Sequence, residues 1–126
     1  MNKRFNLIKR FIEGKSVLDL GILQHRIENE VKANWLHRLI KQHAKKVVGV
    51  DIEKEALLLR DKGYDVRIAN VENFNLEEKF DVIIAGELIE HLSNFYGFLK
   101  SVKKHLKKNG IFILTTPNVF FFWRFL

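Results

Sequence analysis

SVLDLG, residues 16–21, and KVVGVD, residues 46–51, decide the fold between them. Each is a short apolar run ending on a residue suited to face a ligand, glycine in the first and aspartate in the second. Runs this short and this continuously apolar read as strands buried on both faces, the pattern of a parallel sheet. Between them, Val31 to Ala44 sets Val31, Trp35, Leu39 and Ile40 near one helical face. The unit is β-α-β.

The same alternation continues on both sides. Glu53 to Lys62 reads as a helix with Ala56, Leu57 and Leu59 available for burial, closed by Gly63 at the C-terminal cap position. Asp65 to Ala69 is a third strand and Phe80 to Ala85 a fourth; Glu87 to Leu106 carries one or two helices, and Ile111 to Thr115 follows the Asn109-Gly110 turn as a fifth strand. Met1 to Gly14 mixes charged and apolar residues as an amphipathic helix does, without the unbroken apolar run of a signal peptide or a membrane span. Strict alternation predicts an α/β domain, a doubly wound parallel sheet of about five strands with helices on both faces. The ligand crevice of such a sheet lies beyond the carboxyl ends of its strands. That rule nominates Asp19, Leu20 and Gly21 after the first strand, Asp51 and Ile52 after the second, Asn70, Val71 and Glu72 after the third, and Gly86 and Glu87 after the fourth.

With 126 residues, 47% of them hydrophobic, the chain is expected to form one domain around a single core. Its 22 Lys and Arg against 15 Asp and Glu give a net charge of +7, which favours approach to anionic surfaces. The basic residues are spread over several helices, so nucleic acid stands as an alternative partner and a small molecule as the leading one. The absence of cysteine excludes disulfides and thiolate metal sites, and fits a cytoplasmic location.

The ordered segments SVLDLG, VVGVDI, IANVENF, KFDVIIAGELIEHL and KKNGIFILTTPN resemble class I S-adenosylmethionine-dependent methyltransferases, from Ser16 to Asn118. The resemblance implies a Rossmann-like sheet in the order 3-2-1-4-5 and S-adenosylmethionine as cofactor. It implies cofactor-binding roles for Asp19, Gly21, Asp51, Ile52, Asn70, Val71, Gly86 and Glu87. Gly21 would line the methionine part, Asp51 would take the ribose hydroxyls, Ile52 would cover the adenine, Asn70 would accept from the adenine amino group, and Val71 would offer its backbone N–H. Asp19 would orient the glycine loop. Asp51 also suits the N-cap of the helix that follows it.

Two departures from the family pattern carry expectations of their own. Ile22 and Leu23 stand where further small residues are usual, and bulky side chains there would crowd the cofactor. A subset of the family shares the longer loop represented here by His25, Asn29-Glu30 and Trp35-Leu36-His37; Trp35 and His37 read as core residues of the crossover helix rather than as site residues. The family's two further C-terminal strands, a hairpin that completes its sheet, are missing from the reading. Either the chain is a truncated or minimal member, or the aromatic tail from Val119 to Leu126 covers the exposed sheet edge; a homodimer through Phe120 to Phe125 is the expectation.

Methyl transfer from a sulfonium is an in-line displacement with a good leaving group, so alignment dominates and no covalent nucleophile is required. His91 and Glu87 are the candidates for a general base, and Thr115 to Asn118 would border the acceptor cavity. The spacing of Glu87, Glu90 and His91 also resembles the metal helix of the family that methylates RNA 3′ ends. That family adds a histidine beyond the fifth strand, which has no counterpart after Asn118 here, so no metal is assigned. The expectation is a methyltransferase acting on a small molecule or on a sugar or lipid precursor. A methyltransferase of RNA or other nucleic acid and a non-catalytic remnant of the fold, cofactor-binding or purely structural, are the alternatives.

Overall fold

The computed structural model describes residues 3–23, 35–86, 88–115 and 120–124. Helix α1 (Lys3–Ile12) leads into strand β1 (Ser16–Leu20); helix α2 (Leu36–His43), strand β2 (Lys46–Asp51), a 3-10 helix (Lys54–Lys62) and strand β3 (Asp65–Ile68) follow. Strand β4 (Phe80–Gly86), a short 3-10 turn (Ile89–His91), helix α3 (Phe95–Lys104) and strands β5 (Leu106–Thr115) and β6 (Phe120–Arg124) complete the order. The sheet runs β3-β2-β1-β4-β5-β6. Its first five strands are mutually parallel in the expected order, and β6 is antiparallel to β5.

Period-2 alternation along buried strands feeds two cores. On one face, Val17, Val82, Ile84, Ile111 and Ile113 pack against Phe5, Ile8 and Ile12 of α1 and Leu36 and Ile40 of α2. On the other, Leu18, Leu20, Val48, Val50, Ile83, Phe112 and Leu114 meet Phe98 and Val102 of α3. Each side chain fully withdrawn from water in these cores contributes about 1.5–3 kcal/mol, which is why helices cover both faces. A latch fixes the start of β1 beside β4: the Ser16 amide and hydroxyl each donate to Asp81 Oδ2 at 2.9 Å. Burial works to raise the Asp81 pKa, yet the Ser16 bonds and the Lys107 ammonium 3.4 Å away hold it below its ordinary value.

The structure refines three elements of the sequence reading. The stretch after β2, read as a helix of unspecified type, is a 3-10 helix that buries Ala56 and Leu59. Leu57, expected in the core, is exposed. Glu87 to Leu106 divides at Asn94, whose Oδ1 accepts from the Gly97 amide at 2.9 Å and caps α3. The sheet also gains a sixth strand in addition to the five expected. The aromatic tail hydrogen-bonds along β5 from Thr115↔Phe120 to Ile111↔Arg124, and so covers that edge as a strand.

Candidate cofactor site

A cavity of about 310 Å³ opens at the carboxyl ends of β1, β2, β3 and β4, where the crossover to either side of β1 parts the connecting loops. Gly21 forms its floor beside Gly86. At Gly21 φ is +73°, the left-handed backbone that favours glycine, and an added Cβ would lie a tight 3.2 Å from Leu88 Cδ1. Asp51, Ile52, Asn70 and Val71 line the wall made by β2 and β3, and His91 lines the opposite wall with Leu88, Leu92 and Ser93.

Asp51 is 4% exposed and ends β2. Its Oδ2 accepts from the Leu23 amide and its Oδ1 from the Glu53 amide, each at 2.9 Å. A carboxylate oxygen offers more than one lone pair, so both retain capacity for hydroxyl donors. The Glu53 bond is a local turn and not the helix cap expected of Asp51: the N-cap of the 3-10 helix is Glu53, without a side-chain cap bond. Ile52 is 59% exposed, an aliphatic side chain left on the cavity rim for a flat apolar surface to cover. Asn70 Oδ1 already accepts from the Glu72 amide at 2.9 Å, a local turn that aims the side chain and leaves its second lone pair.

Six of the expected cofactor residues thus line one cavity: Gly21, Asp51, Ile52, Asn70, Val71 and Gly86. Asp19 does not. Its side chain lies on the α1–α2 side of the sheet, opposite Gly49 in the register, with Oδ2 2.8 Å from His37 Nδ1. Both residues are buried, and His37 Nε2 has no hydrogen-bond partner. The fitting tautomer has Nδ1–H donating to Asp19, which leaves Nε2 a bare acceptor rather than an unpaired donor. Bare backbone at Gly49 makes the room: a Cβ there would be 2.9 Å from both His37 Cε1 and Ile22 Cδ1.

Ile22 and Leu23, expected to crowd a ligand, are buried with Trp35, Ala56, Leu59 and Val66 and do not line the cavity. The Trp35 indole N–H donates to the Ile22 carbonyl at 2.8 Å, so a residue read as core also holds the loop. Thr115 is likewise buried and outside the lining, its hydroxyl without a hydrogen-bond partner. Glu87, His25, Asn29, Glu30 and residues 116–118 lie outside the described residues. Glu72 was named after β3 without a role. It lines the cavity, and its carboxylate accepts from the Ser93 amide at 3.0 Å and the Asn94 amide at 3.1 Å, tying the β3 loop to the start of α3. The partners stand more than twenty residues away in sequence, so no local spacing announces the pair.

Electrostatically the described lining holds the Asp51 and Glu72 carboxylates and His91, with Glu90 3.8 Å from His91 Nε2, and it contains no lysine or arginine. Such a site suits a ligand rich in hydroxyls and positive charge and offers nothing to a pyrophosphate. Among the described residues no cluster of three acidic, histidine or cysteine side chains gathers as for a metal ion. No helix of the described residues is long and apolar enough to cross a membrane.

Residues 32–114 match the family described as "Methyltransferase domain", which is more than half of the chain. The chain belongs to this methyltransferase family. A ubiquinone biosynthesis O-methyltransferase of Bradyrhizobium diazoefficiens is 31% identical over 112 residues, covering 83% of this chain and 41% of that protein. The chain therefore spans about two fifths of that relative's length. Among solved structures, DesVI of Streptomyces venezuelae superposes with a TM-score of 0.70 at 14% identity, over 88% of this chain and 48% of that one. The glycopeptide N-methyltransferase MtfA, solved with S-adenosylmethionine, gives 0.62 at 16% identity over 97% and 63%. At these identities the two structures share the fold with this chain.

Proposed function

We propose that this chain binds S-adenosylmethionine in the cavity at the strand ends and transfers its methyl group to a small-molecule acceptor. The carrying observation is the buried Asp51 carboxylate, lining a cavity together with Gly21, whose φ of +73° strains any side chain. Asp51 takes the ribose hydroxyls; Ile52 and Val71 bracket the adenine, and Asn70 accepts from its amino group. Gly21 and Gly86 leave room for the methionine chain, and Glu87 stands next in sequence to contact it. Asp19 supports the loop from beneath rather than touching the ligand. An acidic lining without lysine or arginine fits a sulfonium, whose own positive charge supplies the leaving group.

The protein's task is then alignment and proton management. The acceptor oxygen attacks the methyl carbon, the carbon–sulfur bond breaks with its electron pair going to sulfur, and the acceptor proton passes to a base. His91, lining the wall opposite Asp51, fills that role, with Glu87 as the second candidate. Relatives named as O-methyltransferases favour a hydroxyl acceptor, and a sugar or lipid precursor is the class to screen. A cytoplasmic site of action fits the cysteine-free sequence, and pairing of two copies along the outer edge of β6 gives the homodimer.

Calorimetric titration with S-adenosylmethionine and with S-adenosylhomocysteine tests the assignment. Binding in the micromolar range that is lost in Asp51→Ala supports it. A folded wild-type chain that binds neither overturns it in favour of the non-catalytic alternative. Steep salt dependence of binding to RNA or DNA would move the acceptor to nucleic acid.

A further inference from the structure

The Ile22–Leu23 peptide is held at both ends. Its carbonyl, on Ile22, accepts the Trp35 indole N–H at 2.8 Å; its N–H, on Leu23, donates to Asp51 Oδ2 at 2.9 Å. Both bonds are buried, and Trp35 is itself fixed by edge contact with Tyr64 at 5.2 Å between ring centroids. Bonds in such a chain polarise one another, since a donor on the carbonyl makes the N–H of the same peptide a better donor. The flanking amides of Gly21 and Ile22 both donate to the Val50 carbonyl, at 2.8 and 3.4 Å.

We infer that Trp35 is a positioning residue for the ribose-binding carboxylate, acting through this one peptide. The inference rests on the proposed role of Asp51. With the indole N–H present, the peptide plane presents Leu23 N–H to Oδ2 while Glu53 N–H holds Oδ1, and the carboxylate is fixed from two sides in the cavity lining, each oxygen keeping a further lone pair. Without it, the buried Ile22 carbonyl has lost its partner, the plane turns to find another, and Asp51 loses the constraint on Oδ2.

The test compares adenosine with 2′,3′-dideoxyadenosine by titration against the wild-type chain and Trp35→Phe, which keeps an aromatic ring and removes the donor. The wild type prefers adenosine, and the ratio of the two affinities reports hydroxyl capture by Asp51. Trp35→Phe is expected to lower that ratio roughly three- to tenfold, the effect of one buried hydrogen bond. A merely structural role for Trp35 would weaken both ligands alike, and an unchanged ratio overturns the inference while leaving Asp51 as the ribose ligand. A wild type that fails to distinguish the ligands overturns the Asp51 assignment and this inference with it. If Trp35→Phe does not fold, 3-benzothienylalanine at position 35, which keeps the bicyclic shape and lacks the N–H, makes the same comparison.

Discussion

Lowering the pH should loosen this protein through one imidazole. His105 closes α3 and is 1% exposed, stacked on Phe74 with ring centroids 4.3 Å apart. Its Nε2 lies 2.9 Å from the Leu76 amide and its Nδ1 2.7 Å from the Ser101 carbonyl. An amide N–H can only donate, so Nε2 is the acceptor and Nδ1 carries the proton; the neutral ring satisfies both neighbours. A second proton would sit on Nε2 against the Leu76 N–H, leaving buried donors face to face at a cost of about 1–3 kcal/mol. Burial pushes the His105 pKa below its ordinary value, with Lys104 and Lys79 adding to the effect and the Ser101 carbonyl opposing it.

The sign follows from linkage. The folded pKa lies below the unfolded one, so just below about pH 6.5 the unfolded chain takes up a proton that the folded chain refuses. Stability from this group is complete above that pH and falls as pH drops toward the folded pKa. Urea unfolding followed by circular dichroism at pH 7.5 and pH 5.0, on wild type and His105→Gln, isolates it. The amide of Gln can accept from Leu76 and donate to Ser101 without titrating, so the variant should lose less stability across the interval than the wild type. Equal losses in the two proteins would refute the account.

Two further substitutions probe the walls of the cavity. Gly21→Ala must place a Cβ at φ +73° and 3.2 Å from Leu88, which costs about 1–2 kcal/mol of backbone strain and should abolish S-adenosylhomocysteine binding in calorimetry; retained affinity would show that the floor tolerates a side chain. Glu72→Ala strips the Ser93 and Asn94 amides, just ahead of α3, of their acceptor, and thermal or urea unfolding should register a loss of about 0.5–2 kcal/mol, as for removal of a helix cap. Cofactor affinity should fall with it, since the β3 loop and the His91 wall are no longer tied together.

Much of the framework was legible because it depends on local periodicity. Apolar runs at 16–20, 46–50 and 80–85 become the buried strands β1, β2 and β4, and Gly21 and Asp51 stand at their ends because a parallel sheet puts its connecting loops there. The type of helix after β2 escaped, since Ala56 and Leu59 fit burial at either helical period and the exposure of Leu57 depends on what packs against it. The sixth strand escaped because VFFFWRFL has no polar alternation to set a register, which its pairing with β5 supplies.

Sequence by itself determined the alternating architecture, the order of chemistry-bearing residues and the strand ends on which they fall, because each of these follows from spacing along the chain. Tertiary structure alone decided which way side chains face. It turned Ile22 and Leu23 into the core and away from the cavity, set Asp19 against His37 on the far side of the sheet, and brought Trp35 to the Ile22 carbonyl and Glu72 to the amides of Ser93 and Asn94. Hydrogen bonds between residues so distant in sequence depend on how crossovers close over the sheet, a geometry that no local pattern encodes.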